Sequence, residues 1–254
     1  MRERVLFVAS WLASPAGCEA VPASRYALNQ LRTQFEVEVF NWPFMIDGPG
    51  GPPNWQRAVE VLRERMTEPC HVITMETATP AVLMALGGDR GVELPVRSLS
   101  AAGIAFSPAT LRSLGMGALA TAAEAGSLFS GSYQWVRHVM QGGSEEDWRK
   151  YADLLDGDVD WPKAMEFRKS YDTLDLLKEK PQVHLPALYM DKPPGKSTFG
   201  AAIRAEVFER FVPGCDKVDL RAEWGNQLQD ASSGRDLSNH TIPFIQRHAA
   251  VAVE

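Results

Sequence analysis

Cysteine is scarce: the 254-residue sequence holds three, Cys18, Cys70 and Cys215, far apart and in no C-x-x-C spacing. An odd, scattered set excludes a disulfide framework and a thiolate zinc site as first readings, and it fits a reducing cytoplasm. Long apolar runs are also missing. The run at 5–9 is too short for a signal-peptide core, Ser10 interrupts it, and no stretch reaches the roughly 18 apolar residues of a membrane span. A cytoplasmic protein with no membrane partner is expected. Basic clusters are absent and the net charge is -6, which argues against nucleic acid as the main partner, because phosphates call for a basic surface. No P-loop, G-x-G-x-x-G or H-E-x-x-H motif occurs, and the glycine-rich stretch at 48–51 lacks the Lys-Ser/Thr ending of a phosphate loop. The expectation is no metal and no cofactor.

What is present is an ordinary globular composition, 45% hydrophobic and 23% charged, at a length suited to one large α/β domain or two small ones. The apolar run at 5–9 predicts a buried parallel strand, and the alternation at 35–40 predicts a second. Helical spacing at 26–34 and 55–66 brackets a Gly/Pro loop at 48–53. A third strand is expected at 71–75, then a helix at 80–86 with Pro80 in its first turn, where a missing N–H costs nothing. A fourth strand is expected at 96–103. Residues 107–180 read as helical, without a strand run. Strands return at 185–190 and 217–222, with helices at 201–210 and 240–248. Alternating strands and helices imply a mostly parallel central sheet flanked by helices, with ligands at the carboxyl edge of the strands.

The order of these pieces resembles the α/β-hydrolase superfamily over nearly the whole chain. Residues 71–86 look like that family's strand, nucleophile elbow and following helix, and 94–103 look like its next strand. The elbow motif G-x-S-x-G falls on Thr74, Met75, Glu76, Thr77 and Ala78, so a glutamate stands where the family keeps its nucleophile. The resemblance implies an α/β-hydrolase fold with a core at 1–106 and 181–254 and a helical cap at 107–180. Other landmarks match in place but not in chemistry. Ser10-Trp11 follows the first strand where the family has His-Gly, and Asn41-Trp42-Pro43-Phe44 replaces Asp-x-x-Gly. Asp191 lies near the triad acid, although the aligned position falls near Gly195. Asn226 takes the place of the catalytic histidine.

A hydrolase triad needs a nucleophile, a base and a group to orient the base. Of the five histidines, His71 and His184 fall at strand starts and His240 and His248 in the last helix. Only His138, in the cap, has a route inward. An ester on Glu76 without a histidine to activate water would be a dead end, so Glu76 reads as a general acid or base. Backbone N–H groups of Thr77 and of Ser10 or Trp11 would form an oxyanion pair, and Asn226 would orient a substrate oxygen. Trp42, Tyr133 and Trp135, with His138 and Asp191, are the expected substrate contacts. An apolar pocket implies a small-to-medium hydrophobic substrate. The readings left open are a cytoplasmic biosynthetic enzyme of specialised metabolism, a polyketide-type cyclase, isomerase or lyase with Glu76 as acid or base; a non-catalytic ligand-binding pseudo-hydrolase; and an esterase or thioesterase with a rearranged site. A homodimer is left open too.

Overall fold

The computed structural model describes residues 2–11, 13–87, 94–125, 144–191, 201–221 and 231–249, apart from the side chains at 125, 201 and 202. Six strands, β1 (Arg4–Val8), β2 (Glu36–Val39), β3 (Cys70–Met75), β4 (Val96–Ala102), β5 (Ala187–Asp191) and β6 (Asp216–Asp219), form one sheet in the order β2-β1-β3-β4-β5-β6. Every pairing is parallel. Parallel strands need covering on both faces, and the period-2 alternation divides their side chains between two cores. Val5, Phe7, Ile73 and Met75 face one, and Leu6, Val8, Val72 and Leu99 face the other.

Helices α1 (Pro15–Ala20) and α2 (Pro22–Arg32) follow β1. Leu28 and Leu31 of α2 cover the first face together with Leu237, Phe244 and Ile245 of the closing helix, Ser232–His248. Helices α3 (Trp55–Arg65) and α4 (Thr79–Gly87) flank β3 in sequence and bury Leu62 and Leu83 on the second face. Helix α4 is apolar all round, with every residue from Thr79 to Ala85 buried, which suits a helix enclosed by the core rather than a surface one. Five described helices, α5 (Pro108–Ser113), α6 (Gly117–Ala125), α7 (Glu145–Asp158), α8 (Trp161–Asp172) and α9 (Leu176–Glu179), lie between β4 and β5. Helix α10 (Ala201–Phe211) leads to β6, and the closing helix is α11. Among the described residues no helix is long and apolar enough to cross a membrane.

The sheet order places the site. The chain passes from β1 to β2 on one side and then crosses back to β3 on the other, so its direction reverses between β1 and β3. Connections that diverge to opposite sides leave a crevice at the carboxyl ends of those two strands. Ser10 and Trp11 follow β1 there, and Glu76 and Thr77 follow β3.

Element bounds differ from the expected ones by more than two residues in three places. Helix α2 starts at Pro22 rather than 26, because Pro is at home in a first turn. Strand β6 covers Asp216–Asp219, and the helix expected from 240 begins at Ser232.

The opposite edge of the sheet holds His71, fully buried, with Nδ1 2.7 Å from Ser98 Oγ. Burial is the main influence and pushes its pKa down to about 4; Glu3 opposes this, while Arg97 and His248 add to it. Between the ordinary value of 6.5 and about 4 the unfolded chain takes up a proton that the folded chain refuses. Stability is therefore full above pH 6.5 and falls as pH drops through that window, by up to about 3 kcal/mol. Urea midpoints measured from pH 7 to 4 are expected to fall more steeply for the native chain than for His71→Gln. Parallel curves would show that His71 does not carry the slope.

Candidate active site at the β3–α4 turn

The turn is built by contrast on either side of it. Strand β3 is buried at every position, and α4 begins with small residues that let it lie against the sheet. Between them Glu76–Ala78 form a single 3₁₀ turn. Glu76 has φ 38°, in the left-handed region that costs a non-glycine residue about 1–3 kcal/mol. Among the described residues one other non-glycine, Lys180, has positive φ, and it caps the end of α9, where that conformation is the ordinary stop. No helix end accounts for Glu76. Its strained backbone lifts the side chain from a buried strand to an exposed apex.

Neighbouring backbone holds the turn in place. The Glu76 carbonyl accepts from the Thr79 N–H and from the Ala105 N–H, the latter at 3.0 Å. Gly103, with φ 76°, packs so near that a Cβ there would stand 3.4 Å from Glu76 Cγ. Its N–H donates to the Met190 carbonyl at 2.7 Å and its carbonyl accepts from the Thr79 hydroxyl at 2.8 Å. The family's elbow glycines are missing from positions 74 and 78; Gly103, just past the end of β4, supplies room beside Glu76 instead. Its place at the end of a buried strand was the sequence signal for it.

Trp11 locks the β1 loop to the same turn. Its backbone N–H donates to Thr77 Oγ1 at 3.1 Å, and its indole N–H donates to the Thr77 carbonyl at 3.0 Å. The expected oxyanion pair is thus altered on the Trp11 side, where a side-chain oxygen of the chain itself already takes the backbone donor. The Ser10 hydroxyl points to the Met75 carbonyl at 3.4 Å. The Trp11 ring is buried against Phe167 and Tyr171 of α8, with ring centroids 5.7 and 4.9 Å away, and the Arg168 guanidinium lies 4.9 Å from its centroid. The Tyr171 hydroxyl donates to the Ala105 carbonyl at 3.0 Å, and burial raises its pKa, so it stays a donor.

Two expected substrate contacts have other placements. Trp42 is fully buried, enclosed by Phe40, Phe44 and Phe167, because the aromatic rings of the β2 loop and α8 close over it. Asp191, at the end of β5, accepts two hydrogen bonds from Arg204, at 2.8 and 2.7 Å, and one from the Tyr189 hydroxyl at 2.7 Å. Its carboxylate is committed to neighbours, not a solvated turn group. Asn226, Tyr133, Trp135 and His138 lie outside the described residues, as does Gly195.

Arg204 is the site neighbour that sequence reasoning missed. Burial works against its charge, but hydrogen bonds and the charge of Asp191 outweigh it, with Tyr189 and Glu76 adding to the effect, so the guanidinium sits above its ordinary range. The available signal was periodicity: Arg204 stands at i relative to buried Val207, Phe208 and Phe211 at i+3, i+4 and i+7. A cation on the apolar face of a helix calls for a buried anion.

Neither a family model nor a curated protein sequence matches the chain. Solved structures do. An esterase from Exiguobacterium antarcticum aligns with TM-score 0.70 at 12% identity, covering 96% of this chain and 92% of that one. An epoxide hydrolase from Vigna radiata aligns at 0.67 and 14%, covering 97% and 92%. An enol-lactonase from Burkholderia xenovorans LB400 aligns at 0.62 and 13%, covering 97% and 92%. The chain has the α/β-hydrolase fold.

Proposed function

We propose that this chain is a non-hydrolytic enzyme on the α/β-hydrolase fold in which Glu76 is a general base for proton transfer on a small-to-medium hydrophobic substrate. The reaction classes are isomerisation, elimination or cyclisation, in a cytoplasmic biosynthetic setting, and the helices from 107 to 180 act as the cap. The observation that carries the reading is the strained φ of 38° at Glu76, which presents a carboxylate at the apex of the turn. Strain of this kind persists only where the surroundings enforce it, and it clusters at working sites. We read Glu76 as a base rather than an acid, with the guanidinium of Arg204 among its electrostatic partners. Hydrolytic relatives of this shape, such as the esterase and the epoxide hydrolase, are the reason to test acyl transfer beside it.

5-Nitrobenzisoxazole is a suitable probe. A base takes its ring C–H proton, that bonding pair forms the nitrile, the N–O bond breaks, and the pair leaves on the phenolate oxygen. The native chain is expected to accelerate this reaction, and Glu76→Gln to lower kcat by about 100-fold or more with an unchanged circular dichroism spectrum. An unaffected rate in Glu76→Gln sinks the base assignment. A p-nitrophenyl ester turned over with burst kinetics would favour the rearranged esterase instead. Full retention of ligand affinity without turnover on either probe would favour a binding protein.

A further inference from the structure

We infer that the Thr77 hydroxyl, not the Trp11 backbone N–H, is the donor that meets the substrate oxygen beside Glu76, and that the substrate is an apolar, enolisable carbonyl compound. The inference rests on the base role of Glu76. Three observations carry it. The Trp11 N–H donates to Thr77 Oγ1 at 3.1 Å, so that oxygen already accepts a hydrogen bond. The hydroxyl's own hydrogen has no acceptor among the described residues, and Thr77 is only partly buried. The indole N–H of Trp11 bonds the Thr77 carbonyl at 3.0 Å, which fixes the residue that bears the hydroxyl.

A hydrogen bond received by a hydroxyl strengthens the one it gives, so the chain from Trp11 N–H through Thr77 O–H polarises toward whatever oxygen it meets. A hydroxyl in line behind a backbone donor extends the reach of the hole by one residue's side chain. It suits an oxygen that lies farther from the turn than a tetrahedral centre bonded to the apex residue would. That is the geometry for a substrate attacked by a base through a proton rather than through a covalent bond.

The chemistry balances without a co-reactant. Glu76 takes a proton from the carbon next to the carbonyl. The C–H pair becomes the enolate C=C, and the carbonyl π pair moves onto oxygen, where the Thr77 hydroxyl donates to it. Glu76 then returns the same proton to the far carbon of the conjugated system, and the carbonyl reforms. A β,γ-unsaturated ketone becomes its α,β-unsaturated isomer, and both carboxylate and hydroxyl end as they began.

The test uses 3-cyclohexen-1-one, whose conversion to the conjugated enone is followed by ultraviolet absorbance. Thr77→Val keeps the carbonyl that holds the indole and removes the hydroxyl. It is expected to lower kcat by about 100-fold with KM changed by less than about 3-fold, while Thr77→Ser stays within about 3-fold of the native rate. The amide proton of Trp11 should lose exchange protection in Thr77→Val and keep it in Thr77→Ser. Native-like kcat in Thr77→Val overturns the inference, and so does the absence of any Glu76-dependent isomerisation. A shifted Trp11 indole N–H resonance accompanying the lost rate also overturns it, since the loss would then be one of positioning. The two readings separate cleanly: turnover of 5-nitrobenzisoxazole that Glu76→Gln removes, beside an enone rate that Thr77→Val leaves alone, keeps the base and discards the hydroxyl.

Discussion

Gly234→Ala is expected to destabilise the fold by about 3 kcal/mol or more, a large part of the stability of an ordinary domain. A Cβ at Gly234 would stand 1.8 Å from the Ala23 carbonyl oxygen and 2.7 Å from its carbon. Both obstacles are backbone, so no rotamer change relieves them. Helix α11 would have to lift from α2, exposing Leu237, Phe244, Leu28 and Leu31, which the two helices bury together against the sheet. Glycine normally weakens a helix interior by about 1 kcal/mol relative to alanine. The expected sign is the reverse of that preference, because contact overrides propensity here. Urea unfolding of the soluble variant, or its failure to appear in the soluble fraction, reads the effect. A variant within 1 kcal/mol of the native chain would mean that α2 and α11 are not held so close.

The same glycine shows why part of the fold was not legible in the sequence. Only 240–248 reads as helix in the sequence, whereas the structure begins the helix at Ser232 and carries it through Gly234 and Pro243. What justifies Gly234 lies more than two hundred residues away in sequence, on α2. The strands were legible for the opposite reason. β1 and β3 are buried on both faces, which forces near-continuous apolar runs. The elbow was legible in place, since strand and helix frame it, but not in detail. Neither the positive φ of Glu76 nor the hydrogen bond from Trp11 to the Thr77 side chain is a local property. Trp42 illustrates the converse: an aromatic residue just after a strand marks the ligand edge in sequence, yet three other rings enclose it in the fold.

Asp191→Ala is expected to cost about 3 kcal/mol, and the pattern of its rescue tells scaffold from chemistry. The side chains of Asp191 and Arg204 are 12% and 22% exposed, so the pair is mostly out of water. Removing the carboxylate takes away the bidentate partner of a desolvated guanidinium and the acceptor of the Tyr189 hydroxyl. Breaking one half of such a pair is costly, whereas replacing both halves with apolar groups of similar volume restores most of the loss. The double variant Asp191→Leu with Arg204→Met should therefore approach native urea stability. Its activity should not recover fully, because the electrostatic contact between Arg204 and Glu76 is gone. A triad acid behaves differently: the double variant would then regain stability and show no turnover at all. Loss of stability in step with loss of the ion pair makes Asp191 a support for Arg204. A carboxylate in that role holds Arg204 in place and stands outside the proposed proton-transfer step.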